Sequence, residues 1–203
     1  MNFYLRLICA LLFVLLASCE TIQPNAIWRD ASYQSHPAKV LVVGVSKSAV
    51  TRRLFEEEFV RQLNARGMQA IASYSVLPDK AQNDQALITE KMKSLGADTL
   101  LITRLVSKKT LQVYVPGTVY YPPPHYGTWR KYYGYGNQAI TTPGYVTENE
   151  YAVIETNLYD ANNEKLIWAA SSEVGMFGTN LDRIQSYIGA MLKAMSEQGL
   201  LNK

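Results

Sequence analysis

YAVIETNLYDANNEKLIWAASSEV, residues 151–174, is the stretch whose reading decides the fold. Tyr151–Asp160 alternates apolar and polar side chains, the two-residue period of a half-buried strand. Ala161-Asn162-Asn163-Glu164 has the chemistry of a turn, and Lys165–Val174 returns as a second strand. The stretch is therefore a β-hairpin. Trp168 lies in its returning strand, in step with the apolar positions, and is expected to be buried against a helix.

Upstream, the pattern changes. KVLVVGV, Lys39–Val45, is an unbroken apolar, β-branched run, as in a strand covered on both faces. Ser48 is placed to cap a helix in which Val50, Leu54, Phe55, Phe59 and Leu63 recur at helical spacing, and Gly67 fits the stop after Arg66. MQAIASY, Met68–Tyr74, reads as a second strand. Asp84 opens a second helix with Ile88, Met92 and Leu95 on one face and Gly96 at its end. DTLLITRLV, Asp98–Val106, is a third strand that continues toward Val115. After the hairpin, Leu181, Ile184, Ile188, Leu192 and Met195 mark a last helix. Gly199 stops it, and Leu200 stands where an apolar contact follows such a stop. The expected fold is α/β (α+β): a single mixed β-sheet packed with helices, in the order β-α-β-α-β-(aromatic insert)-β-β-α.

Composition narrows the function. The formal charge is +3 and hydrophobic residues make up 48% of the chain, enough for a core. Basic and acidic residues are interspersed, so no nucleic-acid footprint is present. The two histidines, His36 and His125, lie in polar, proline-flanked stretches, and acidic residues form no compact cluster; neither a metal nor a cofactor is expected. GVSKS, Gly44–Ser48, sits between a strand and a helix, where a phosphate loop would lie. It lacks the spacing and second glycine of G-x-x-x-x-G-K-S/T, and equally the second glycine of a hydrolase elbow. On helix 49–64, Arg52 with Glu56 and Arg53 with Glu57 are four apart and read as solvated ion pairs. No residue set amounts to an active site, so the chain is expected to act by binding and not as an enzyme.

The N-terminus reads as an address. MNFYLRLICALLFVLLASC has one basic residue, Arg6, and an apolar run from Leu7 to Leu16. That run is shorter than the ~20 residues that span a bilayer and fits a signal peptide. Leu16-Ala17-Ser18-Cys19 resembles a bacterial lipobox, which implies cleavage after residue 18 and acylation of Cys19. Cys9 would leave with the signal, and acylation accounts for the one cysteine left. Glu20, where an Asp resembles an inner-membrane retention signal, implies the outer membrane, with the chain facing the periplasm. Residues 19–38 are polar, contain two prolines and show no period, so they read as a tether, with Trp28 and Tyr33 within reach to dock back. The domain is expected over 39–203.

GADTLLITRLVSKK and the hairpin YAVIETNLYDANNEKLIWAASSEV resemble envelope lipoproteins with a domain like the N-terminal domain of TolB, seen also in LpoB and CsgG. Gly96, Ala97, Asp98, Tyr159, Asp160 and Trp168 carry the likeness, over roughly residues 39–198. The resemblance implies a protein-interaction module anchored to the membrane by its N-terminal lipid, an accessory or scaffold in envelope assembly or maintenance with a protein partner there. Within this class the chain is closest to lipoproteins with Tyr/Gly-rich inserts.

The insert, residues 116–145, departs from the LpoB and CsgG pattern. Nine of the 14 tyrosines lie between Tyr114 and Tyr151. Pro122-Pro123-Pro124 favours polyproline II, and Gly127, Gly134 and Gly136 loosen the chain. Tyr120, Tyr121, Tyr126, Trp129, Arg130, Lys131, Tyr132, Tyr133 and Tyr135 are the candidate binding residues, because Tyr and Trp favour interfaces. Three readings stand: a flap packed on its own sheet, an arm that binds a protein, glycan or membrane surface, or a variable insert under little constraint. An alternative function follows from the second, a small-ligand or glycan binder that closes the aromatic insert over a groove.

Overall fold

The computed structural model describes residues 22–78, 84–120, 140–176 and 179–201, with the side chains of 120, 140 and 141 left aside. Its element order is β1 (Ala26–Arg29), β2 (Lys39–Val45), α1 (Ala49–Asn64), β3 (Gln69–Ala72), α2 (Gln85–Leu95), β4 (Thr99–Val115), β5 (Thr118–Tyr120), β6 (Ile140–Thr142), β7 (Tyr145–Asp160), β8 (Leu166–Gly175) and α3 (Asn180–Glu197). Six strands form one sheet in the order β1-β8-β7-β4-β2-β3. β2 is parallel to β3 and β4, while β4, β7, β8 and β1 pair antiparallel in turn. This is the mixed-sheet α+β fold that the hairpin and the helix-separated strands predict.

The sheet has two covered faces of unequal size. Val40 and Val42 point to the larger core with Phe59 and Leu63 of α1 and Ile188, Met191 and Leu192 of α3. Leu41 and Val43, one residue out of step, point to a smaller cluster with Met92 of α2 and Ala97. That alternation explains why KVLVVGV has no polar member. Trp168 is 0% exposed in the larger core, as its place in the hairpin predicts.

The helix boundaries follow the capping chemistry. Ser48 Oγ accepts from Thr51 N at 3.2 Å and Asp84 Oδ1 from Leu87 N at 3.0 Å. Gly96 closes α2 at φ 63°, a left-handed conformation that glycine adopts without steric cost. After α3, Leu200 is buried and its N–H bonds Met195 O at 2.9 Å, the contact expected past Gly199. Two helix-face expectations fail: Val50 is 69% exposed and Leu181 46%. Both lie in the first turn of their helix.

The tether expected over 19–38 is corrected in its described part. Ala26–Arg29 is an edge strand paired with Arg29↔Trp168 and Trp28↔Ala169. Ser172 Oγ donates to Gln23 O, Arg29 Nη1 donates to Gln198 O, and Ile22 and Tyr33 pack on the core. Four strand residues are too few to show a period, so backbone pairing decided what the sequence pattern could not.

The solvated reading of Arg52 and Glu56 is also corrected, since both are buried. Glu56 Oε1 accepts from Gly44 N at 2.9 Å and Ser73 Oγ at 2.7 Å, and Oε2 accepts from Tyr74 N at 2.8 Å. The carboxylate thus ties α1 to the end of β2 and to the short helical turn Ser73–Ser75. Gly44 permits this approach: a Cβ there would lie 3.2 Å from Arg52 Cγ. The glycine of GVSKS therefore serves helix–strand packing. Glu57 and Arg53 are exposed as expected, but both engage Tyr74, through its hydroxyl (2.8 Å) and its ring face (5.6 Å).

Candidate interaction surface

β4 and β7 outrun the sheet. β2 stops pairing with β4 at Arg104, and β8 reaches β7 only as far as Tyr151↔Gly175. One further bond, from Met176 N to Glu150 O at 2.8 Å, ties β7 to the end of β8; beyond it, among the described residues, β4 and β7 pair only with each other, to Val115↔Tyr145. From Thr110 to Val115 the projection is about 17 Å at ~3.4 Å per residue. The pairing skips Val106 between Leu105 and Ser107, a bulge that bends and twists the ribbon where it leaves the sheet. The sequence indicates that β4 runs toward Val115. It does not show that β7 begins at Tyr145, six residues before the alternating stretch, because Glu148-Asn149-Glu150 are poor strand formers.

Directly opposed residues of a ladder share a face. The register places Lys109, Leu111, Val113 and Val115 of β4 with Tyr151, Asn149, Thr147 and Tyr145 of β7 on one face. Lys108, Thr110, Gln112 and Tyr114 stand with Ala152, Glu150, Glu148 and Val146 on the other. The first face carries an apolar stripe, and near the tip the second is apolar too. Leu111, Val113, Tyr114, Tyr145 and Val146 are all exposed. Polar contacts hold the base: Arg104 pairs with Glu155 at 2.9 Å, Lys109 with Glu173, and Gln112 Nε2 donates to Glu148 Oε1 at 2.9 Å.

The ribbon narrows at a glycine neck and continues as β5–β6. A Cβ on Gly117 would lie 2.7 Å from Gly144 N, so the two chains approach at a distance only glycine allows. Thr118↔Thr142 through Tyr120↔Ile140 form a second, two-stranded sheet. Tyr120 belongs to it by its backbone. Its side chain lies outside the described residues, as do Tyr121, Tyr126, Trp129, Arg130, Lys131, Tyr132, Tyr133, Tyr135 and Cys19. The described part of the insert is thus a two-stranded continuation of the ribbon.

The residues behind the family resemblance have structural roles. Asp98 accepts from Ala38 N and Lys39 N, fixing the start of β2 beside Gly96. Asp160 Oδ1 accepts from Asn162 N at 2.7 Å to shape the hairpin turn, and Trp168 fills the core. Among the described residues, no group of three or more His, Cys, Asp or Glu could hold a metal, and no helix is long and apolar enough to cross a membrane.

No family model and no curated protein matches the chain. Solved structures with a related arrangement include a PelC dodecamer from Paraburkholderia phytofirmans, at 13% identity and TM-score 0.46, covering 88% of this chain and 98% of that one. A second is lipoprotein GNA1162 from Neisseria meningitidis, at 15% identity and TM-score 0.43, covering 79% and 99%. A third is the hypothetical protein CT253 from Chlamydia trachomatis, at 10% identity and TM-score 0.36, covering 80% and 93%. Each is a likeness of fold at a TM-score below 0.5, and no activity or partner is carried from them to this chain.

Proposed function

We propose that this chain is a lipid-anchored protein of the bacterial outer membrane, facing the periplasm, that acts by binding, as an accessory or scaffold of the TolB N-terminal-like class. The observation that carries the binding half is the β4–β7 ribbon, which exposes Leu111, Val113, Tyr114, Tyr145 and Val146 outside the core. Exposed apolar groups that contribute nothing to the fold mark contact surfaces. The candidate binding residues of the insert lie in sequence between β5 and β6, the strands that continue the ribbon. Anchoring rests on Leu16-Ala17-Ser18-Cys19 and its likeness to a lipobox.

Acyl labelling in cells tests the anchor. Wild type takes up labelled palmitate and fractionates with outer membranes, whereas Cys19→Ala takes up none and leaves the membrane fraction. Equal membrane association of the two would refute anchoring. The glycan-binding alternative predicts saccharide co-purifying with the wild type and lost when the aromatic insert is removed.

A further inference from the structure

The ribbon has two open edges of opposite charge. Past Arg104, nothing pairs with the outer edge of β4 among the described residues, and the outer edge of β7 is open from Tyr145 to Asn149. β4 carries Arg104, Lys108 and Lys109 and no acidic residue; β7 carries Glu148, Glu150, Glu155 and Asp160 and no basic one. Arg104, Lys109 and Glu148 are engaged within the chain by Glu155, Glu173 and Gln112. Lys108 and Glu150 have no ion-pair partner among the described residues. Both are exposed, and the register puts them on the same face of the ribbon.

We infer that the ribbon's partner is a second copy of this chain, with the β4 edge of one copy adding to the β7 edge of the next and Lys108 meeting the neighbour's Glu150. Open edges offer unpaired N–H and C=O groups that template strand addition. A lysine on an edge ordinarily repels such pairing, but here Glu150, whose carbonyl is held by Met176 N and which borders the open stretch of β7, supplies the complementary carboxylate on the matching face. Pairing like edges offers Lys108 no carboxylate and Glu150 no cation, since β4 has no acidic residue and β7 no basic one, so charge favours the unlike pairing. That contact uses two different surfaces. Each copy therefore engages two neighbours, and assembly passes beyond the dimer. The proposal rests on the reading of the ribbon as a contact element.

Sedimentation of the full chain in detergent tests it. Wild type forms species larger than a dimer. Lys108→Glu places acid on both edges and Glu150→Lys places base on both. Each alone dissociates at least about fivefold more readily, a factor that corresponds to ~1 kcal/mol. An equimolar mixture of the two variants reassembles, because every junction is again unlike. Circular dichroism confirms that both variants are folded. A wild type that stays monomeric at tens of micromolar, or single variants that assemble as the wild type does, overturns the inference. If the wild type is monomeric while ribbon truncation still abolishes partner cross-links in cells, only self-pairing falls. If assembly occurs but truncation changes nothing in cells, the contact-element reading falls.

Discussion

At the scale of single residues, buried polar groups hold this fold in register. Glu56 collects three donors at 2.7–2.9 Å from two separate segments, the end of β2 and the turn Ser73–Ser75. Glu56→Ala leaves all three without their acceptor, and we expect a loss of about 3 kcal/mol, read from chemical denaturation. A change below about 0.5 kcal/mol would mean that water replaces the carboxylate. Tyr187 is the second case. Thr156 Oγ1 donates to Thr103 Oγ1 at 3.0 Å, so Tyr187 Oη donates to Thr156 at 2.7 Å. Burial pushes the Tyr187 phenol from 10.0 up to about 12. Because the folded value is the higher one, its contribution is complete below pH 10 and is lost as pH rises toward about 12. Stability should fall more steeply over that window in the wild type than in Tyr187→Phe; identical slopes would contradict the assignment. Neither group was legible in the sequence. The i,i+4 spacing of Arg52 and Glu56 suits a solvated pair equally well, and only the position of α1 over Gly44 decides otherwise.

At the scale of elements, the legible parts were those whose period is enforced by burial. β2, β8 and the three helices face a core on at least one side, so their apolar residues recur at the period of the backbone. Trp168 is the clearest instance. Trp168→Ala should cost about 3–5 kcal/mol, since the ring is fully buried; an unchanged melting temperature would remove it from the core. β1 and the first residues of β7 were not legible. β1 is short and held by an edge, and β7 before Tyr151 packs against no core that would impose a pattern. The candidate site was legible as composition and not as architecture: the tyrosine count marked the insert, but the bulge, the glycine neck and the two-faced ribbon emerge only from strand register.

At the scale of the whole molecule, the chain divides its work between a packed sheet and a projection that the sheet does not need. The core draws on α1, α3 and the β2, β4, β7 and β8 segments within the sheet, while the ribbon beyond Thr110↔Glu150 contributes exposed residues. Shortening it should therefore cost little, since loop length changes stability by only about 0.6 kcal/mol per doubling. The direct test removes residues 111–149 and joins Thr110 to Glu150, which face each other in the ladder, through an Asn-Gly turn suited to a two-residue hairpin. The measurement is in-cell cross-linking of this truncated chain to envelope partners, its own copies included, with its melting temperature as the control for folding. The account predicts a melting temperature within a few degrees of wild type and loss of the cross-links. A truncated chain that unfolds, or one that stays folded and keeps every cross-link, would contradict it.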